Sequence, residues 1–445
     1  MTKLPRWLAP GVAASLVATL AAWPAAASDD AEAPPAAVVV APATPSPSSS
    51  SPSSTPLPVG VRLTGYVQAD GTLHDASSQD EVDPSTGAPL NQTRYFIRRA
   101  RLHLDIDHAR MSGSLELDGN TVNGSAAGLI DAEVSVNART PDETGRAWGY
   151  ATIGLLRTPW GYEVNQRDQD RFFLERSSVS RALFPGVFDL GVRLRGGWRF
   201  IDAQIAMVNG DPLGERAFPV QDPNHAKDIV GRLGVSGARG RVAFAAGVSG
   251  LTGTGFHRGT PETKDVLVWR DQNEDGIVEL SEIQVISGSA ATPSVNFHRF
   301  ALGADARVRI ALPRLGALEI VGEAIWATNL DRGLAPADPV ATGRDLRERG
   351  WVAGFVQALG KWFAIGGRYD RYDPDADASE PRALVVVPVD AHDAAWTATA
   401  AWRWSELDRI VVEYQHLTNP LGRTAAGLPA TLGGETVMVR GQIAW

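Results

Sequence analysis

The chain has 445 residues, a formal charge of −9, no cysteine and 13 tryptophans. The acidic balance argues against a nucleic-acid partner, and without cysteine no disulfide framework can hold an exported chain together. No run of about 18 apolar residues follows the N-terminal segment, which excludes a helical membrane protein but leaves a membrane β-barrel open.

Lys3 and Arg6 precede the apolar run Leu8 to Trp23, which ends in Pro24-Ala25-Ala26-Ala27. This pattern predicts a secretory signal peptide over 1–27, cleaved after Ala25-x-Ala27. Loss of Lys3 and Arg6 takes the formal charge from −9 to about −11. Residues 28–60 form an Ala/Pro/Ser tract, as in Ala43-Thr44-Pro45-Ser46-Pro47-Ser48, with too little apolar content for a core; it reads as a disordered linker.

From Val61 to Trp445 the residues alternate apolar and polar over segments of about ten, the two-residue period of strands with two unlike faces. The predicted strands are 61–70, 94–107, 111–119, 129–138, 147–156, 187–198, 200–209, 228–236, 241–251, 297–310, 316–328, 350–358, 361–371, 393–404, 407–417 and 434–445. Short turns and long loops alternate strictly between them. Long connections fall near 72–93, 120–128, 157–186, 210–227, 252–296, 329–349, 372–392 and 418–433. A soluble β-sandwich has no reason to keep that order, whereas an outer-membrane barrel has short periplasmic turns, long extracellular loops and an even strand number. The predicted fold is therefore all-β: a transmembrane antiparallel barrel of about 16 strands over 61–445, in contact with outer-membrane lipid.

The faces agree with this. In the last segment Val437, Val439, Gly441, Ile443 and Trp445 share one side, while Thr436, Met438, Arg440 and Gln442 share the other. Trp362, Trp402 and Trp404 lie near predicted turns, as an aromatic girdle requires. Trp445, ending an amphipathic strand, resembles the C-terminal signal by which barrel-assembly machinery recognises its clients.

Tyr95-Phe96-Ile97-Arg98-Arg99-Ala100-Arg101-Leu102 is similar to the second strand of the phosphate-selective porin O/P family. The resemblance continues through Ile153-Gly154-Leu155-Leu156-Arg157-Thr158-Pro159-Trp160-Gly161, Phe173-Leu174-Glu175-Arg176-Ser177, Gly191-Val192 and Val208-Asn209-Gly210. It implies a sixteen-stranded, typically homotrimeric porin with an arginine-rich lumen and a third loop folded inward. That loop would be 157–186, where Arg167, Arg171, Arg176 and Arg181 recur at near-helical spacing. Guanidinium groups stay charged and offer a fork of donors suited to phosphate or carboxylate. The alternative is a salt-bridged loop in which Arg171 and Glu175 lie one helical turn apart.

Lumen-facing candidates are Arg99, Arg101, Arg193, Arg195, Arg232, Arg307, Arg309, Arg368, Arg409 and Arg440, offset by Asp105, Glu116, Asp118, Asp305, Glu319, Glu323 and Glu413. Phosphate-specific members of the family cluster lysines in the constriction, and no lysine occurs here between Lys3 and Lys227. The mixed lining predicts only a modest bias to small anions.

Asp271 to Glu282, DQNEDGIVELSE, fits a calcium loop of the EF-hand type. The ligands would be Asp271, Asn273 and Asp275, the Ile277 carbonyl, Glu279 directly or through water, and Glu282 in bidentate fashion, with Gly276 at the sharp turn. Counting strands from a periplasmic N-terminus puts this segment, 265–286, in an extracellular loop. Asp265-Val266-Leu267-Val268-Trp269 alternates like a strand instead of an entering helix, and no partner loop is present, so affinity should be low. The functional expectation is a porin with a Ca2+-binding outer loop; the alternative is a calcium-stabilised surface receptor or adhesin with an occluded pore. The eight histidines are scattered and suggest no hydrolytic triad.

Overall fold

The computed structural model describes residues 59–74, 93–108, 110–122, 124–138, 149–212, 224–382, 385–389, 392–405, 407–419 and 432–445. The signal peptide and nearly all of the predicted linker lie outside these residues. Val59 and Gly60, read from the sequence as the end of the linker, already belong to the first strand.

Sixteen antiparallel strands close into one barrel. In its first half they are β1 (Val59–His74), β2 (Thr93–His108), β3 (Met111–Asn120), β4 (Ala126–Asn137), β5 (Gly149–Arg157), β6 (Phe188–Trp198), β7 (Ile201–Val208), β8 (Asp228–Arg239) and β9 (Val242–His257). The long connection after β9 carries the hairpin β10 (Val266–Trp269) and β11 (Ile283–Ile286). The wall resumes with β12 (Val295–Leu312), β13 (Gly316–Thr328), β14 (Arg347–Leu359) and β15 (Phe363–Asp373). A second loop hairpin, β16 (Ser379–Arg382) and β17 (Val385–Pro388), precedes β18 (Asp393–Arg403), β19 (Arg409–Asn419) and β20 (Leu432–Ala444). Each predicted strand corresponds to one wall strand, and the two loop hairpins are additional.

Closure follows from the bilayer. An open sheet edge in hydrocarbon would leave backbone groups unpaired at several kcal/mol each, and here β20 pairs back onto β1. The final rung is reciprocal: Gly65 N–H donates to Trp445 O and Trp445 N–H to Gly65 O, both at 3.0 Å. No helix among the described residues is long and apolar enough to cross a membrane.

Alternation sorts the side chains. Leu102, Ile153, Leu194, Ile205, Leu233, Val248, Leu302, Ile320 and Val412 point outward and are exposed, as lipid-facing positions demand. Two aromatic rungs bound this band. Trp198, Phe200, Trp362, Trp402, Trp404 and Trp445 lie at the short-turn end, and Tyr95, Trp326, Trp351 and Trp396 at the long-loop end. The short-turn end is periplasmic, the long-loop end extracellular, and the barrel spans an outer membrane.

Among the described residues, apolar packing inside the barrel centres on the inserted connection between β5 and β6. Trp160, Val164, Val179, Ala182, Leu183 and Phe184 pack on Val208, Val230, Leu251, Ala301, Ile325 and Tyr372 from the wall. Leu174 packs on Ala401, Val411 and Met438 elsewhere on that wall. The connection therefore crosses the lumen instead of standing above it.

Candidate functional site

The lumen is built where the 158–187 segment meets the wall. Its root is fixed by Gly161, whose φ of 48° is left-handed and whose N–H donates to Ser249 Oγ at 3.0 Å. Glu323 on β13 then accepts the Tyr162 and Glu163 N–H groups at 3.2 and 3.0 Å. Opposite, Gln68 Nε2 reaches Asp168 O at 3.4 Å, and Arg409 Nη2 donates to the Gln169 and Arg171 carbonyls, each at 2.7 Å.

Asp168 and Glu175 are the ionic anchors of the segment. Asp168 accepts from Arg101 at 2.6 Å, lies 3.5 Å from Arg99, and pairs with Arg171 at 2.8 Å. Burial alone would raise its pKa, but the surrounding Arg99, Arg101, Arg171 and Arg157 outweigh burial and hold it well below the usual carboxylate range. Glu175 meets Arg98 at 2.8 Å and Arg440 at 3.2 Å. Burial again opposes its charge, and Arg98, Arg99, Arg440 and Arg171 again prevail, so its pKa is depressed.

A register shift explains how two consecutive arginines serve one loop. Gln68 pairs with Arg99 and Ala69 with Ile97, so Arg98 is an extra residue in β2. Such a bulge re-aims side chains, and both Arg98 and Arg99 face inward.

The remaining wall contacts complete the ring. Arg368 donates to Glu175 O at 2.6 Å and lies over the Phe173 ring. Glu413 accepts from Leu174 N–H at 3.0 Å and Thr399 Oγ1 at 2.8 Å, and Asp370 accepts from Ser178 N–H at 2.8 Å. Arg440 forks onto both Asp70 oxygens at 2.7 Å and reaches Leu174 O. A cavity of about 30 Å³ remains beside Tyr66, Arg101, His103, Glu116, Arg167 and Asp168.

The predicted lumen-facing arginines thus divide into three groups. Arg99, Arg101, Arg368, Arg409 and Arg440 are buried staples between wall and loop. Arg193 pairs with Glu133 at 2.9 Å, Arg232 with Asp305 at 2.6 Å and Arg195 with Asp202 at 2.9 Å. Arg307 and Arg309 are exposed to the lumen. Arg307 makes a 3.9 Å contact with Glu319 and lies over the Tyr162 ring, and among the described residues no ion pair is formed by Arg309.

The near-helical spacing of Arg167, Arg171, Arg176 and Arg181 does not correspond to one helix. A 3-10 turn covers Asp168–Asp170 and a single helix covers Ser178–Leu183, with bent, non-helical chain between. Arg171 pairs with Asp168, three residues earlier, instead of Glu175. Arg176 donates to the Phe184 and Pro185 carbonyls, and burial, followed by repulsion from Arg171, lowers its pKa to about 10. Arg167 is exposed at the small cavity. Sequence reasoning passed over Asp70, Asp370, Gln68, Arg98 and the Arg299–Asp228 pair at 2.8 Å. Their signal was a polar residue at an inward-facing position of an alternating strand.

The acidic segment sits at the tip of the β10–β11 hairpin. Asp271 accepts from the Asp275 and Gly276 N–H groups at 3.2 and 2.8 Å, and Asp275 accepts from Ile277 N–H at 2.7 Å. Gly276 has a φ of 72°, the sharp turn its position requires. Glu282 accepts from the Trp269 indole at 3.0 Å and Gln272 N–H at 3.0 Å, bonds that lower its pKa. No group of three or more His, Asp or Glu side chains is gathered for a metal among the described residues. Two of the predicted donors, Asn273 and the Ile277 carbonyl, are neutral oxygens outside these residue types. The donor chemistry and turn fit calcium, while the carboxylates are engaged with backbone N–H groups and do not converge on one point.

No family model matches the sequence, and no curated protein matches it. The structure is similar to that of Pseudomonas putida OprB at high pH, with 9% identity, 87% of this chain and 94% of that chain covered, and a TM-score of 0.52. It is also similar, below a TM-score of 0.5, to the trimer form of OmpT, an outer membrane protein of Vibrio cholerae, with 8% identity, coverage of 87% and 99%, and a TM-score of 0.49. DcaP, an outer membrane channel of Acinetobacter baumannii, gives 11% identity, coverage of 88% and 99%, and a TM-score of 0.48. At such identities what is shared is the fold, and the chain folds as an outer-membrane β-barrel of sixteen strands.

Proposed function

We propose that this barrel is a porin through which small solutes diffuse passively, with a modest bias to anions such as phosphate. The observation that carries the reading is the inserted segment held within a polar-lined wall, beside which Arg167, Arg307 and Arg309 remain exposed. Selectivity in a pore follows the sign of the charges that solutes pass. Arginines already neutralised by Asp118, Glu133, Asp305 or Asp70 contribute little to that sign, so the bias is small. The resemblance of the β2 sequence to phosphate-selective porins supports the same class, and implies a homotrimer. Delivery to the membrane would go through barrel-assembly machinery reading the Trp445 strand.

The test is reconstitution into planar bilayers under a salt gradient. The expected result is steady conductance with a reversal potential on the anion side, moved toward cations by Arg167→Glu with Arg309→Glu. Cation preference in the parent protein would overturn the anion bias and leave the porin reading intact.

We also propose that the loop tip binds Ca2+ through Asp271, Asn273, Asp275, Ile277, Glu279 and Glu282 once the carboxylates exchange their N–H partners for the ion. Hard oxygen donors in a flexible shell suit calcium, and the ion would stiffen an outer loop. Terbium titration of the barrel is expected to saturate and Glu282→Ala to abolish saturation. The second reading, a calcium-stabilised receptor or adhesin with an occluded pore, draws on the dense contacts of the inserted segment. Absence of steady conductance would favour it.

A further inference from the structure

The short turns on one half of the barrel form a basic belt. Four of them join β6 to β7, β8 to β9, β12 to β13 and β14 to β15, strands that lie side by side in the wall. These turns carry Arg199, Arg241, Arg314 and Lys361, and Arg239 stands on the last rung of β8. All five cations are exposed, and among the described residues none is in an ion pair. The acid nearest to them in sequence, Asp202, is paired with Arg195 at 2.9 Å. Charge on the other half of the rim is nearly balanced: Glu406 and Asp408 offset Arg403 and Arg409, and 139–148 holds two acids and two arginines, which leaves Arg110.

Backbone bonds hold the basic turns in a row. Ser236 N–H donates to Phe200 O at 2.8 Å, Ala311 N–H to Arg241 O at 2.8 Å, and Gly360 N–H to Leu315 O at 3.1 Å, so each turn is tied to its neighbour along the rim. Strands lie about 4.8 Å apart, which sets successive turns on the order of 10 Å from one another. Arg199 has a φ of 54°, the left-handed conformation that Gly240 and Gly360 supply in two of the other turns. A charged side chain is thus kept at a position that favours glycine.

The belt coincides with the membrane boundary. Arg199 lies over the Trp198 ring and Lys361 over the Trp362 ring, each at 4.9 Å, and both indoles are exposed. Arg239 continues the outward face that Leu233 and Val235 form on β8. Aromatic girdles mark the interfacial level of a barrel, where long cationic side chains lay their stems on apolar surface and keep their charges in the polar layer. A periplasmic polymer would meet the tips of these turns but not the stacked pairs on the lipid side.

We propose that this belt gathers anionic phospholipid headgroups of the periplasmic leaflet. Guanidinium forks match the phosphate oxygens, and a row of exposed cations favours an anionic surface over a zwitterionic one. The surface lies on the rim of the wall and is independent of what passes through the lumen.

The test is the association of spin-labelled lipids with the full-length barrel in phosphatidylcholine vesicles, read by electron paramagnetic resonance as the preference for phosphatidylglycerol over phosphatidylcholine. The parent protein is expected to favour phosphatidylglycerol about threefold or more at low salt. In about 1 M salt, where the Debye length is about 3 Å, that preference is expected to vanish. Arg199→Gln, Arg239→Gln, Arg241→Gln, Arg314→Gln and Lys361→Gln combined are expected to abolish it at low salt, whereas Arg110→Gln, outside the belt, leaves it at the parent value. Heat-modifiable gel mobility confirms that each variant is folded. Equal preference in the parent and the five-residue variant overturns the proposal, as does a preference that survives high salt. Binding to purified peptidoglycan that the five-residue variant loses, with no lipid preference in the parent, assigns the belt to the cell wall and overturns the lipid claim.

Discussion

Gly161 shows how one backbone position can set the path of a thirty-residue loop. A Cβ at this position would lie 1.8 Å from a Glu323 carboxylate oxygen, the same side chain that accepts Tyr162 and Glu163 N–H at the root of the inserted segment. The left-handed φ adds its own cost for any L side chain. Gly161→Ala is therefore expected to lose about 1–3 kcal/mol, read as a lower urea midpoint in vesicles, and to release the loop root, read as larger and noisier single-channel conductance. Glu323→Gln keeps the shape and one acceptor oxygen, and a loss equal to that of Gly161→Ala would show that charge, and not geometry, holds the root.

At the scale of the element, the inserted segment is tied down by buried ion pairs whose value lies in position more than in stability. Removing one partner of such a pair leaves an uncompensated charge, at about 3–5 kcal/mol. Arg440→Ala strips Asp70 of its fork and Leu174 and Glu175 of a donor, so we expect a destabilised barrel and a segment loosened from β20, seen as frequent conductance substates. The pH response has a defined sign. Asp168 and Glu175 have depressed pKa values, so the stability they supply is present above the ordinary carboxylate pKa of about 4 and is lost only as pH falls through the lower folded values. Conductance measured between neutral pH and that value should therefore show no change in loop state, whereas ordinary carboxylates controlling the loop would produce a transition near it. This connection also marks the limit of what the sequence reveals. The wall strands are legible because every second residue must face lipid and every long loop must alternate with a turn. The helical spacing of Arg167 to Arg181 misleads because the loop is not one helix: Arg171 answers to Asp168 three residues earlier and Arg176 to the carbonyls of Phe184 and Pro185 within the same loop. Pro381 and Pro388 likewise conceal the β16–β17 hairpin, since proline argues against a strand wherever the edge is not known to be exposed.

For the whole molecule, the decisive contact joins the two ends of the barrel. Tyr66 to His74 pair with Thr436 to Ala444 across almost the entire described chain, and loop-closure entropy delays contacts of such long sequence separation. The Trp445 ring covers the seam so closely that a Cβ on Gly65 would stand 2.6 Å from its Cζ2 atom. If the seam closes last, its contacts are absent from the folding transition state, and weakening them speeds unfolding while hardly changing the folding rate. Trp445→Ala is accordingly expected to raise the unfolding rate in urea about tenfold for a loss of roughly 1.4 kcal/mol, with a folding rate within about a factor of two of the parent. Gel mobility after timed transfer into and out of denaturant measures both rates. A fall in folding rate that accounts for the whole loss would place seam closure before the barrier and reverse the order argued here. Unchanged rates in vesicles together with a loss of assembled barrel in cells would instead locate the effect in recognition of the terminal strand by the assembly machinery.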